Sequence, residues 1–277
     1  MYTLNCKGKL LVIDQPLVMG IINTTPDSFF AGSRQPAVDE VVEKASAMLA
    51  QGAAILDIGG QSTRPDAEIV GAEEEAGRVV PAIQAICSHF PEAIVSVDTF
   101  HAAVAEAAVK AGAAIVNDVS AGLYDAAMLS TVAALRVPYI LMHHKGIPAS
   151  AKVPYRYANL TKDVIDFFIG RLLACRSAGI KDIVIDPGFG FGKNAAQNLL
   201  LLRGLASLKI FDLPILAGLS RKSTIYKTLG ITADQALNGT TVLNTIALLN
   251  GASILRVHDV KEAAEAVTLV GAYCKNL

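Results

Sequence analysis

The chain has 277 residues, with 24 Lys+Arg against 25 Asp+Glu, 52% hydrophobic residues and 18% charged ones. That length suits one large α/β barrel or two average domains, and no linker-like stretch divides it. The balanced charge gives no support for a nucleic-acid or membrane-surface partner, while the apolar excess suits parallel strands covered on both faces.

Residues 1–16 predict a hairpin, with strands over 2–6 and 9–13 turning through Lys7-Gly8, placed to cover the bottom of a barrel. Short apolar runs then predict buried strands at 17–22, 55–58, 94–97, 115–117, 138–142, 183–185, 214–217 and 254–257. Helical periodicity covers 37–51, 73–89, 101–111, 125–134, 161–178, 196–207, 233–250 and 261–275. In the last of these, Val260, Ala263, Ala264, Val267 and Val270 form a stripe fit to pack on a barrel wall. Gly52, Gly112, Gly179 and Gly251 stand just before strands, where glycine ends a helix cheaply. This rhythm predicts repeated right-handed βα units and an α/β fold, a (β/α)8 TIM barrel forming one domain over 1–277. A Rossmann sheet would need a Gly-x-Gly-x-x-Gly after its first strand, and the chain has none there.

In such a barrel the strand ends converge on one mouth, where active sites are built. The residues closing the strands are Asn23, Thr63-Arg64, Asp98, Asn117-Asp118, His143, Asp186, Lys222 and Arg256/His258. All are therefore expected to face a single pocket. An ionised Asp98 or Asp186 at a buried strand end needs hydrogen-bond donors or a cation, which a heterocycle with paired N–H groups supplies. Asn117 offers both a donor and an acceptor nearby, whereas Asp118 suits capping of the next helix. Arg256 and His258 alternate along the last strand, so they project to one side. With Arg64 they suit an anion such as pyrophosphate.

Asp186-Pro187-Gly188-Phe189-Gly190-Phe191-Gly192-Lys193 is a glycine-rich turn that lacks the Gly-Lys-Ser/Thr ending of a phosphate loop. Its alternating Phe and Gly suit a flat aromatic ligand. Ser223, in Ser220-Arg221-Lys222-Ser223, opens a helix whose N-terminal amides can hold a carboxylate. Two long connections, from Asn23 to about Pro36 and from Gly59 to about Ala72, are candidate lids. His101 with His143-His144 makes a poor metal spacing.

The motifs resemble, in order, those of the dihydropteroate synthases, folate-pathway members of the pterin-binding barrel family. They are Met19-Gly20-Ile21-Ile22-Asn23-Thr24-Thr25-Pro26-Asp27-Ser28-Phe29, Asp57-Ile58-Gly59-Gly60-Gln61-Ser62-Thr63-Arg64-Pro65, Ser96-Val97-Asp98-Thr99, Asn117-Asp118-Val119-Ser120, Asp186 to Phe191, Ser220 to Ser223, and Arg256-Val257-His258-Asp259. The resemblance runs from about residue 17 to the C-terminus.

It implies a Mg²⁺-assisted transferase that joins dihydropterin hydroxymethyl pyrophosphate to 4-aminobenzoate, releasing pyrophosphate through a cation-like, SN1-type substitution. It further implies that Asp98, Asn117, Asp186 and Lys222 read the pterin, with Arg256 over its ring. Asn23 would help hold Mg²⁺, while Thr63, Arg64, Arg256 and His258 would contact phosphate oxygens. Phe191, Lys222 and Ser223 would meet the aminobenzoate. Asp98, Lys222, Arg256 and His258 form the implied catalytic set, in a homodimer paired through outer helices, of a family that is a sulfonamide target.

The first loop reads Phe30-Ala31-Gly32-Ser33-Arg34 where many members carry Ser-Asp-Gly-Gly, so Asp27 or Arg34 is expected to replace the missing carboxylate contact. Gln61 stands where Glu is common, and His144-Lys145 where Met-Gln is common. A pterin-binding methyltransferase would share the barrel and carboxylates but hold no pyrophosphate. Lys222-Ser223, Arg256-Val257-His258 and Asn23 to Asp27 favour the synthase over it, while the Ala31 loop keeps open a pterin-binding paralogue without turnover, which pterin binding without pyrophosphate release would reveal.

The four cysteines, Cys6, Cys87, Cys175 and Cys274, are isolated, which disfavours a structural zinc or disulfide framework and suits a reducing compartment. The first residues lack a signal-peptide pattern, and no apolar segment reaches the roughly 20 residues of a membrane span. A soluble, cytoplasmic protein is expected.

Overall fold

Alternation along the buried strands divides their side chains between an inner and an outer core. The computed structural model describes residues 1–24, 34–61, 69–145 and 155–275. Its elements run β1 (Tyr2–Cys6), β2 (Lys9–Ile13), β3 (Leu17–Asn23), α1 (Arg34–Ala50), β4 (Ile55–Gly59), α2 (Ala72–His89), β5 (Ile94–Asp98), α3 (Ala102–Ala111), β6 (Ile115–Asp118) and α4 (Met128–Leu135). They continue with β7 (Tyr139–Met142), α5 (Leu160–Ala178), β8 (Ile183–Asp186), α6 (Ala195–Arg203), β9 (Leu216–Ala217), α7 (Ser223–Leu229), α8 (Leu237–Leu249), β10 (Ile254–Val257) and α9 (Val260–Lys275).

The 8-stranded sheet has the order β8-β7-β6-β5-β4-β3-β10-β9, and a parallel bridge from Ile185 to Ile215 brings its two ends together. The result is the expected barrel. Met19, Ile55, Ile115, Ile140, Val184, Leu216 and Ile254 point inward and meet Leu4, Cys6, Leu11 and Ile13 of the antiparallel hairpin β1–β2, which plugs the bottom. Intervening residues such as Val18, Leu56, Val97, Val116, Leu141 and Val257 point outward and pack under the helices. Lys7 Nζ donates to Val109 O at 2.7 Å and Asn5 N to Asp182 Oδ2 at 2.9 Å, tying the hairpin to the rim.

Several boundaries differ from the sequence reading for local reasons. The strands run one residue further, through Asn23, Gly59, Asp98, Asp118 and Asp186, because polar side chains at the mouth leave backbone pairing intact. The helix expected over 125–134 starts at Met128, since the Asp125 carboxylate accepts from Ala102 N and Ala127 N and holds a turn ahead of it. The stretch 196–207 ends its α-helix at Arg203 and continues as a 3-10 turn, Leu205–Phe211. The stretch 233–250 becomes helical only at Leu237. Among the described residues, no helix is long and apolar enough to cross a membrane.

Candidate active site

Register builds the floor of the mouth. Asn23 pairs with Gly59, Gly59 with Asp98, and Asp98 with Asn117, so one row crosses four adjacent strands. In-register residues of parallel strands point the same way, which aims Asn23, Asp98 and Asn117 into the barrel mouth. Gly59 adds no side chain to the row.

Arg256 rises from β10 into this row. Its Nε donates to Asp57 Oδ2 and its Nη2 to Asp98 Oδ2, each at 2.6 Å. Asn117 Nδ2 donates to the same Asp57 oxygen at 3.0 Å. Burial by itself would lower the Arg256 pKa, but the Asp57 and Asp98 charges outweigh it and raise the pKa, so the guanidinium stays charged. Burial raises the Asp98 carboxyl to about 7 against the pull of Arg256, with Asp57, Asp118 and Asp186 adding repulsion. Asp186 is raised by burial too, opposed by Lys222 and by Gly188 N, which donates to its Oδ1 at 2.7 Å.

Lys222 caps α7 and crosses to the glycine-rich turn, where its Nζ donates to Phe189 O and lies 4.5 Å from the Phe191 ring centroid. Burial lowers its pKa to about 8, with Asp186 and Asp98 opposing and Arg256 adding. A side chain on Gly190 would strike Lys222 Cδ at 2.7 Å, so glycine there lets the turn approach the lysine. Phe191 packs on Phe100, Val119 and Met142, giving the mouth an apolar wall. The half-buried Ser223 begins α7 beside Lys222.

His258 sits exposed at the rim. Ser220 Oγ accepts from His258 N at 3.2 Å and lies 3.0 Å from His258 Nδ1. A hydroxyl hydrogen on Nδ1 leaves Nε2–H as the free donor. Desolvation, then the Arg256 charge, lowers the His258 pKa. With the residue open to water, Arg256 is the more durable cause.

Two strand-end residues expected in the pocket point elsewhere. Asp118 faces outward, where its carboxylate accepts from Ser120 N, Gly122 N and Tyr139 Oη at 2.6–2.7 Å. That fixes the turn after β6 but does not cap the next helix as expected, since α4 begins at Met128 behind Ala127 with no side-chain cap. His143 also faces outward, its ring 4.8 Å from Phe167 and buried among aromatics that hold its pKa down at about 3. Period two explains both, since each is one residue out of phase with the inward set. Thr63 and Arg64 lie outside the described residues, as do the altered first loop at 25–33 and the centre of the second.

Asp57 escaped the sequence reading, although it organises Arg256 and Asn117. The available signal was its place two residues before Gly59, on the inward face of a strand otherwise apolar. Arg221 was missed as well. It takes the left-handed conformation at φ 53°, and its Nε and Nη2 grip Asp259 at 2.9 and 2.7 Å, fixing the turn that presents Lys222 and Ser223. Arg221, rather than Arg256, is the partner of Asp259.

A family model described as pterin binding enzyme matches residues 19–258. The dihydropteroate synthase of Escherichia coli K12 is 41% identical over 96% of this chain and 94% of its own. The chain belongs to the dihydropteroate synthase family of pterin-binding enzymes. A Streptococcus pyogenes family member is 41% identical over 95% of this chain and 97% of its own. The Xanthomonas albilineans dihydropteroate synthase solved with 4-aminobenzoic acid superposes with a TM-score of 0.91 at 42% identity, covering 98% of this chain and 97% of that one. The Yersinia pestis dihydropteroate synthase in a sulfonamide complex gives 0.92 at 40% identity, covering all of both chains.

Proposed function

We infer that this chain is a dihydropteroate synthase. It condenses 6-hydroxymethyl-7,8-dihydropterin pyrophosphate with 4-aminobenzoate, giving 7,8-dihydropteroate and pyrophosphate. The observation that carries this reading is the Arg256 guanidinium clamped between buried Asp57 and Asp98 beside Lys222 and Phe191, in a member of that family.

In this reading Asp98, Asn117, Asp186 and Lys222 take the polar edge of the pterin, and Arg256 lies over its ring. Buried carboxylates favour such a ligand because each needs N–H donors in place of water. Phe191, Lys222 and Ser223 take the aminobenzoate. Arg256, His258, Thr63 and Arg64 take phosphate oxygens, His258 through its Nε2–H.

Asn23 offers one neutral side-chain oxygen at the mouth. That fits Mg²⁺, an ion that keeps several waters and takes most other ligands from substrate phosphates. Among the described residues no cluster of three or more acidic, His or Cys side chains provides a cage of its own. When bound, Mg²⁺ neutralises charge on the departing pyrophosphate.

Cleavage of the methylene C–O bond leaves positive charge on the pterin, which Asp98 and Asp186 stabilise. The aniline nitrogen attacks as a neutral amine and sheds its proton afterwards, so the chemistry needs no strong base. The deciding assay is pyrophosphate release with Mg²⁺, with and without 4-aminobenzoate. Release that depends on aminobenzoate and yields dihydropteroate is expected; pterin binding without release would sink the synthase.

The homodimer belongs to the same proposal. Leu199 of α6, Leu229 of α7, Val242 and Leu249 of α8 and Leu269 of α9 are exposed apolar residues on helices packed in succession. An apolar surface spread over neighbouring helices marks a site of association.

A further inference from the structure

The glycine-rich turn after β8 is gripped by a lysine that the proposed chemistry does not use. Gly188, Gly190 and Gly192 all have positive φ, so the turn follows neither helix nor ladder, and one backbone bond crosses it, Phe191 N donating to Gly188 O at 3.3 Å. Side chains satisfy the other groups and reinforce that bond. Lys193 Nζ, on a residue only 5% exposed, donates to Gly188 O at 2.8 Å and to Phe191 O at 3.2 Å. Asn198 Oδ1 accepts from Gly190 N at 2.9 Å, and its Nδ2 donates to Lys193 O at 3.1 Å. Tyr155 N donates to Gly192 O at 3.0 Å.

On the opposite side the turn is pressed against its neighbours. A side chain on Gly188 would meet His143 O at 2.1 Å. The segment therefore has little room, and Lys193 closes it by holding its two ends together. Phe191, at the far end of that grip, is the residue whose ring lies under Lys222.

Burying an ammonium is costly, and an apolar side chain of equal length would avoid the cost. Burial lowers the Lys193 pKa to about 7, Lys222 lowers it further and Asp186 opposes. The compensation visible in the structure is the pair of carbonyls it holds together with the Asp186 charge.

We propose that Lys193 is a positioning residue of the synthase reaction: by joining Gly188 O to Phe191 O, it fixes the Phe191 ring against Lys222 and sets the aminobenzoate side of the mouth. The proposal rests on the reading of that mouth as the synthase site. Asp186 keeps its own bond to Gly188 N, so the pterin side depends less on Lys193.

The test is Lys193→Met in the full chain, which keeps length and removes both charge and donors. Amide hydrogen exchange of Gly190 and Phe191 in the ligand-free protein is expected to quicken at least about tenfold, with α9 unchanged. The KM for 4-aminobenzoate is expected to rise at least about tenfold, while kcat and the KM for the pterin pyrophosphate stay within about threefold. Unchanged exchange overturns the proposal. So does an equal loss in every kinetic constant with exchange quickened throughout the barrel, which is the signature of a structural role. Absence of wild-type turnover would bring down the synthase reading and this proposal together. Normal wild-type turnover with an unsplit variant overturns the proposal alone.

Discussion

Arg256 Nε lies 2.6 Å from Asp57 Oδ2, across 199 positions of sequence. The carboxylate is fully buried, and it also accepts from Asn117, so one group orients two side chains proposed to meet the pterin. Removing one partner of a buried ion pair leaves an uncompensated charge, at a cost of about 3–5 kcal/mol. Asp57→Asn is the milder probe, because Arg256 keeps Asp98.

That variant should fold and lose about 10- to 100-fold in kcat/KM through misplacement of Arg256 and Asn117. Steady-state kinetics beside a thermal melt would check it. Asp98→Asn and Lys222→Ala should weaken pterin binding in a titration, and Arg256→Ala should depress turnover. Wild-type constants in all four folded variants would refute the site.

The pH profile follows from two groups shifted toward each other. Asp98 is raised to about 7 and Lys222 lowered to about 8. The binding form needs Asp98 ionised and Lys222 protonated. As pH falls through about 7 Asp98 takes up a proton, and as pH rises through about 8 Lys222 loses one, so kcat/KM for the pterin substrate should be bell-shaped. A profile flat from about pH 6 to about pH 9 would contradict this assignment.

Period-two alternation and terminal glycines made the barrel legible before any coordinates, because each strand is buried on both faces and each helix ends where glycine is needed. The same alternation placed Arg256 and His258 on one side of β10. Asp118 and His143 close their strands but stand one residue out of phase with the inward set, so position at a strand end alone does not bring a side chain to the mouth. Asp57 stayed hidden for the opposite reason: it lies inside a strand rather than at its end, and its value appears only when Arg256 and Asn117 converge on it. Arg221 and Lys193 act through turn geometry, with φ above zero at Arg221 and in the turn Lys193 closes, which apolar patterning does not report.

Glu75 gives a stability test away from the mouth. It lies in the first turn of α2 with no exposed side-chain surface. His101 Nε2 is 3.9 Å away, and the Arg78 charge also acts on the Glu75 carboxyl. Burial raises its pKa from 4.5 to about 8, with Asp98 adding and the Thr99 hydrogen bond and Arg78 charge opposing. Between those values the folded protein holds a proton that the unfolded chain has released, so this stabilising contribution is full below about 4.5 and lost as pH rises toward 8. Glu75→Gln, neutral at every pH, should show a smaller fall in Tm than wild type from about pH 5 to about pH 8. Parallel Tm curves would show that Glu75 does not stay protonated.

Association can be tested on α8. Val242 and Leu249 are 50% and 51% exposed, and Ile246, between them at 38%, completes one helical face. Leu269 is 70% exposed on α9, which packs against α8. Isologous pairing would bury these side chains against their own copies, removing apolar surface at roughly 25 cal/mol per Å². Val242→Glu with Leu249→Glu would then place like charges together in a closed interface. Sedimentation should find the wild-type protein as a dimer and the double variant as a monomer with an unchanged circular dichroism spectrum. Because the mouth lies at the strand ends and these residues on the outer helices, each variant subunit should keep its affinity for the pterin. A wild-type monomer at micromolar concentration, or a double variant that still pairs, would remove this face as the interface.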